Sequence, residues 1–222
     1  MIYRLILAVF VFVVPQNLAA GPWLREKGSS FTAVSIAGNY ALETANQTYL
    51  EYGLSDTTTL IGDVGMARFH YIPNTGYATF SIRRALGPKE AASKWAYELG
   101  LGAGWVGEEI LPHVRTALSW GRGITFGEKS GWMTVEGAIL WDVTYALHVA
   151  KVDTTVGLNA TKKTKAMMQI FSAHAVGETI ATLAPSVVYS PANTKFSIQL
   201  GAESQIGQWD NTAVKIGIWR EF

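Results

Sequence analysis

Alternation of apolar and polar residues over runs of about ten residues is the feature that most restricts the fold of this chain. The clearest run is KWAYELGLGAGW at positions 94–105. One of its faces carries Trp95, Tyr97, Leu99, Leu101, Ala103 and Trp105. The other carries Ala96, Glu98 and the three glycines Gly100, Gly102 and Gly104. A period of two residues predicts a β-strand whose two sides meet different surroundings.

The spacing of two tryptophans in this run favours a membrane over water. At roughly 3.3 Å per residue, Trp95 and Trp105 lie about 33 Å apart along a strand. A tilt of about 40–45° projects that distance to roughly 24 Å, against an apolar band about 25 Å tall with aromatic residues at both rims. A strand of a soluble protein is typically only about five or six residues long. We therefore predict a membrane girdle formed by Trp95, Trp105, Trp120 and Trp141.

Similar alternating runs follow one another along the chain and give about twelve strands. An even number suits a barrel whose two termini lie on one side of the membrane. The expected fold is therefore all-β, a closed antiparallel transmembrane β-barrel. Five connections are expected on the terminal side: SD, GPKEAASK, GRGITFGEKS at positions 121–130, ATKKTK and SPANTK. Four of the five carry lysine. No connection is long enough to predict a plug.

The first twenty residues have the layout of a secretory signal peptide. Arg4 precedes an apolar run over positions 5–14, Pro15 ends the run, and the small residues Ala19 and Ala20 follow. This run is shorter than the roughly 20 apolar residues of a membrane-spanning helix. We expect removal of residues 1–20 and a single barrel domain over residues 21–222, the alternative being a signal anchor.

Composition excludes several classes of function. The chain holds 18 Lys and Arg against 17 Asp and Glu, so loss of Arg4 leaves the two signs balanced. Without a basic excess, the protein is not expected to bind nucleic acid. Cysteine is absent, which excludes thiolate chemistry and metal sites that use cysteine. Four histidines and no phosphate-binding glycine loop predict neither a metal nor another cofactor.

The inward face of the predicted barrel collects charged residues of both signs. A ring of one sign would indicate an ion-selective constriction, whereas mixed signs indicate salt bridges that brace the wall or a constriction that selects solutes. Both interpretations stay open. The candidate lumen-lining residues are Glu51, Asp63, Arg83, Glu98, Arg115, Glu136, Lys151, Asp153, Glu203 and Lys215.

The last strand resembles the C-terminal signal of Gram-negative outer-membrane β-barrels. Alternating Val214, Ile216 and Ile218 precede the final Phe222, although Arg220 stands where an apolar or aromatic residue is common in that class. The resemblance implies an outer-membrane location, contact with outer-membrane lipid and recognition by the barrel-assembly machinery through Ile216, Ile218 and Phe222. Such recognition is a form of strand addition.

A narrower resemblance concerns function. TYLEYGLSDTTTLIGDVG and KVDTTVGLNATKKTKAMMQIF are similar to strand–turn–strand units of small transporter-like barrels, including phenol meta-pathway transporters. This resemblance implies a non-enzymatic protein that passes an unidentified small solute passively through a narrow lumen.

Two alternatives remain. One is a lipid-modifying hydrolase that uses Ser172 and His174, although outer-membrane phospholipases carry the reverse order, His-x-Ser. The other is a structural barrel with a closed lumen. We assign no catalytic residue.

Overall fold

Twelve β-strands form all the regular structure of residues 21–222. The computed structural model describes residues 21–222, and the predicted signal peptide therefore lies outside the described residues. The strands are β1 (Ser30–Gly38), β2 (Thr44–Ser55), β3 (Thr58–Arg68), β4 (Thr75–Leu86), β5 (Ser93–Val106), β6 (Glu109–Phe126), β7 (Lys129–Asp142), β8 (His148–Asn159), β9 (Thr164–Ala175), β10 (Glu178–Tyr189), β11 (Phe196–Gln205) and β12 (Gln208–Glu221).

The strands close into one antiparallel barrel. Each strand pairs with its neighbours in sequence, and β12 returns to pair with β1. In this closing pair, Val34 lies opposite Ile218 and Phe31 opposite Glu221. Closure leaves no strand edge with unpaired backbone groups. The predicted closed antiparallel barrel of about twelve strands is confirmed.

The outer surface of the barrel is apolar over most of its height. Large apolar side chains along the outward rows are strongly exposed, for example Phe80 and Leu101 at 69% each. Such a surface is stable against lipid hydrocarbon and would aggregate in water. Residues 21–222 contain no helix of the length and apolarity needed to cross a membrane.

Antiparallel order places the turns alternately at two ends of the barrel. We call the end with both described termini the termini end, and the other end the opposite end. The turn after β6 lies at the termini end and is shorter than predicted. Most of GRGITFGEKS belongs to strands, and the turn is Gly127 and Glu128. Gly127 has φ 58°, a conformation that favours glycine and permits so tight a reversal.

The structure also settles the orientation of β9, whose alternation in the sequence is ambiguous. Met167, Gln169 and Phe171 point inward and are buried, whereas Met168 and Ile170 are exposed on the outside. The alternation is ambiguous because the adjacent residues Met167 and Met168 are both apolar but point to opposite faces of the strand.

Candidate functional site

The inner wall carries all ten charged residues that the sequence predicted for the lumen. Eight are buried, and Asp153 and Glu203 have side chains 13% and 14% exposed. Their position follows from the two-residue period of the strands, because outward neighbours such as Leu99 and Leu101 are apolar. Their use by a passing solute remains a prediction.

Arg83 on β4 connects three carboxylates from three other strands. Its Nη1 atom lies 3.0 Å from Oε1 of Glu51 on β2, and its Nη2 atom lies 2.9 Å from Oε2 of Glu98 on β5. The same Nη2 atom is 3.7 Å from Oε2 of Glu136 on β7. Arg83 is only 1% exposed, and a buried guanidinium is stable only with such partners.

Arg115 on β6 continues this arrangement. Its Nε atom donates a 2.8 Å hydrogen bond to Glu98, and its Nη2 atom donates to Glu136. Tyr49 Oη also donates a 2.7 Å hydrogen bond to Glu51. The charge ladder, defined as Glu51, Arg83, Glu98, Arg115 and Glu136, thus extends along the inner wall from β2 to β7. It combines three carboxylates with two guanidinium groups.

The other five predicted lumen residues form smaller groups away from the ladder. Asp63 accepts hydrogen bonds from Gln47 Nε2 at 2.8 Å and from Tyr77 Oη at 2.9 Å. Two ion pairs complete the set: Lys151 with Asp153 at 3.8 Å and Lys215 with Glu203 at 3.1 Å. The structure therefore joins the ten residues into a ladder and three separate groups, and not into one ring.

An apolar cluster also lies on the inner wall, adjoining the ladder at Tyr49, and the sequence did not predict it. Phe31 and Trp219 pack edge to face, with ring centroids 6.0 Å apart. The inward alternation of β12 and β1 was the signal available, since it places both rings inside. The cluster comprises Phe31, Ala33, Tyr49, Ile61, Met167, Val188 and Trp219, with Trp132 packed against it.

The segment before β1 also lies inside the barrel. We call residues 21–27 the strap. At one side of the bore, a Cβ atom on Gly121 of β6 would lie 2.8 Å from Pro22 Cδ and 2.8 Å from the Trp23 ring. At the other side, a Cβ atom on Gly53 of β2 would overlap the carbonyl oxygen of Glu26. The strap therefore crosses the termini end between two wall positions that lack side chains.

Arg25 fixes the middle of the strap to the site. Its Nε atom lies 2.5 Å from Oε2 of Glu51, which joins it to the charge ladder. Its backbone nitrogen donates a 3.0 Å hydrogen bond to Thr59, and its guanidinium carbon lies 4.5 Å from the centre of the Phe31 ring. The expectation of a barrel without a plug considered only the connections between strands. The occluding segment comes before the first strand.

The four predicted girdle tryptophans all belong to outward rows. Trp95 and Trp120 lie side by side toward the termini end, with ring centroids 6.5 Å apart. Trp105 and Trp141 lie toward the opposite end, where Trp141 Nε1 donates a 3.1 Å hydrogen bond to Thr116. Two levels of aromatic rings on one outer surface are typical of membrane barrels.

The predicted assembly residues are at the closing seam. Ile216 and Ile218 face outward opposite Ile36 and Val34 of β1. Phe222 donates a 2.9 Å backbone hydrogen bond to Ser30. Recognition of these residues by the assembly machinery remains a prediction.

Ser172 and His174 occupy the outer surface of β9. The Nδ1 atom of His174 is 2.8 Å from the hydroxyl oxygen of Thr179. A hydrolytic triad needs a carboxylate or amide in that position to orient the ring. Among residues 21–222, no group of three or more histidine, aspartate or glutamate side chains is arranged to hold a metal ion.

Comparison with known proteins identifies the fold. The sequence matches no family model and no curated protein. The structure resembles a KdgM porin, with a TM-score of 0.59, 8% identity, and coverage of 87% of this chain and 99% of the porin. It also resembles the COG4313 outer membrane channel from Pseudomonas putida F1, with a TM-score of 0.55, 12% identity, and coverage of 95% and 100%. At these identities the likeness establishes the barrel fold, and the narrower likeness to phenol meta-pathway transporters stays a prediction.

Proposed function

We propose that this protein is a narrow outer-membrane channel for the passive passage of small solutes. The observation that carries the proposal is the charge ladder on the inner wall of a closed barrel. Buried charges are stable where they are paired, as they are in the ladder, and paired side chains of both signs narrow the bore to a constriction that can select solutes. Twelve strands enclose less space than the 16–18 strands of wide porins. The ladder and the strap reduce this space further.

The composition of the inner wall supports passage of a slender solute with a polar side. The ladder presents charge on the wall from β2 to β7, and the apolar cluster adjoins it, since Tyr49 of the cluster donates a hydrogen bond to Glu51 of the ladder. A solved structure of similar fold contains KdgM porin with a disordered oligogalacturonate, at a TM-score of 0.58 and 8% identity. A porin of this architecture thus takes a flexible polar chain, which supports the same class of path here.

Single-channel recording in planar bilayers tests this proposal. The wild-type barrel should give small discrete steps. Two variants change the net charge of the ladder by one unit in opposite directions. Glu98→Gln removes a negative charge, and Arg115→Gln removes a positive one. We expect the reversal potential in a salt gradient to shift toward anion selectivity in the first and toward cation selectivity in the second.

The matched control is Arg84→Gln, which removes an outward charge beside the inward Arg83 and should leave the reversal potential unchanged. Each variant is first checked for folding by its heat-dependent mobility on gels. A folded wild-type barrel without discrete steps would refute the channel and favour a structural barrel. Equal shifts in all three variants would refute the assignment of the path to the ladder.

A further inference from the structure

The two ends of the barrel carry opposite charge. Apart from Arg25 and the ten lumen residues, the opposite end has one cationic side chain and six acidic ones: Arg68 against Glu43, Glu108, Glu109, Asp142, Glu178 and Asp210. The termini end has the reverse balance: Lys27, Arg84, Lys89, Lys94, Arg122, Lys129, Lys162, Lys163, Lys165, Lys195 and Arg220 against Glu26, Asp56, Glu90, Glu128 and Glu221. Such separation produces an electrostatic surface that favours an anionic partner at the termini end.

Three of these cations, all arginines, differ from the lysines of the turns, because they follow large apolar residues on the outward rows of strands; Lys129, at the first position of β7, follows Gly131 on its row. Arg84 follows the exposed Phe80 and Ile82 along β4, and Arg122 follows Leu118 and Trp120 along β6. Arg220 follows Ile216 and Ile218 along β12 in the same way. Each is the first charged residue after these apolar residues, all three are exposed, and one further exposed apolar residue lies beyond each: Leu86, Phe126 and Phe222. We call them the outer arginines.

Nearby aromatic rings indicate at which level of the bilayer the outer arginines lie. Arg84 lies directly opposite Tyr97, and Arg122 is two residues beyond Trp120. The Arg220 guanidinium carbon is 4.4 Å from the centre of the Phe222 ring. Tryptophan and tyrosine concentrate at the head-group level of a bilayer, and long cationic side chains extend to the same level. The three guanidinium groups therefore lie at the level that head-group phosphates occupy in a bilayer.

The outer arginines have no ion pair with another described residue. The five acidic residues of the termini end lie elsewhere: Glu26 in the strap, three in turns, and Glu221 on the inward row of β12. A guanidinium group binds a phosphate through two parallel hydrogen bonds and keeps its charge at any relevant pH. The partner that fits is an anionic group supplied by the membrane.

We propose that the outer arginines bind the phosphate groups of anionic phospholipids in the leaflet at the termini end. This inference requires the barrel to be in a bilayer, but it does not require solute passage. The test of lipid binding can therefore succeed or fail independently of the channel recording. Such binding would surround the barrel with anionic lipid in one leaflet and would favour one orientation of the barrel relative to the two leaflets.

Lipid retention measured by native mass spectrometry tests the proposal. The folded barrel is released from nanodiscs that contain equal amounts of phosphatidylglycerol and phosphatidylcholine. The wild type should retain phosphatidylglycerol preferentially. Each of Arg84→Gln, Arg122→Gln and Arg220→Gln should weaken that preference about fivefold, and the triple variant roughly a hundredfold. The single variants keep the test valid if the triple variant does not fold.

The matched control removes three charges from turns at the same end, through Lys89→Gln, Lys162→Gln and Lys163→Gln. This variant should retain phosphatidylglycerol as the wild type does. An equal loss in the lysine variant, or no preference in the wild type, would overturn the proposal. Displacement of the retained lipid by millimolar glycerol phosphate would also overturn it, since the site would then bind a free phosphate and not a lipid.

Discussion

Replacement of Arg83 by glutamine should destabilise the barrel far more than replacement of the adjacent Arg84. Arg83 is 1% exposed and lies within 3.0 Å of Glu51 and 2.9 Å of Glu98. Its loss leaves three buried carboxylates to share Arg25 and Arg115. Removal of one partner from a buried ion pair typically costs about 3–5 kcal/mol, because the remaining charge is uncompensated. An exposed substitution such as Arg84→Gln should change stability by about 0.5 kcal/mol or less in lipid without net charge.

Urea unfolding of the barrel in phosphatidylcholine vesicles measures the difference. With a slope of about 2 kcal/mol per molar urea, the expected loss moves the Arg83→Gln midpoint down by roughly 1.5–2.5 M. Arg84→Gln should unfold at the wild-type midpoint. The double variant Arg83→Gln/Glu98→Gln should recover part of the loss, because it also removes one unpaired carboxylate. Equal midpoints for Arg83→Gln and Arg84→Gln would refute the view that the ladder braces the wall.

Three further predictions follow from other parts of the structure. Gly53→Ala should displace the strap, because the added methyl group would overlap the Glu26 carbonyl. Single-channel conductance should therefore rise. The control is Gly137→Ala, whose Cβ would meet nothing within 4 Å. Unchanged conductance in Gly53→Ala would contradict the occluding role of the strap. Deletion of Phe222 should lower the yield of folded barrel in cells while spontaneous refolding in detergent is preserved, and equal yields would contradict a role in assembly. Ser172→Ala should leave any lipid hydrolysis by the purified protein unchanged, because His174 has a hydroxyl partner; loss of such hydrolysis would revive the hydrolase alternative.

The fold could be predicted because a strand's two-residue period is a local property. Trp95 to Trp105 alternate without interruption, and the pattern fixes which side chains face inward wherever polar and apolar residues differ. The pattern did not predict the strand ends or the inward face where glycines or apolar residues occupy consecutive positions. At positions 121–131, four glycines indicate a loop, although only Gly127 lies in the turn and the other three belong to β6 and β7. In β9, two adjacent methionines are compatible with either face.

The contacts of the site could be predicted only in part. Alternation places Arg83 and Glu51 on the same inner wall, but they are 32 residues apart, and their 3.0 Å contact depends on the closure of the barrel. The strap was missed for a different reason. Pro22 and Trp23 resemble an ordinary tail after a signal peptide, and their place is revealed only by Gly53 and Gly121, two distant wall positions without side chains.

The opposite charges at the two ends also have an electrical consequence for a pore that conducts ions. An acidic mouth admits cations and a basic mouth admits anions. When the opposite end is electrically positive, cations enter through the acidic mouth while anions enter through the basic one, and both accumulate in the bore. Reversal of the voltage draws both kinds of ion out and depletes the bore. The barrel would therefore act as a rectifier, whose direction of easier current reports which end faces each side of the bilayer.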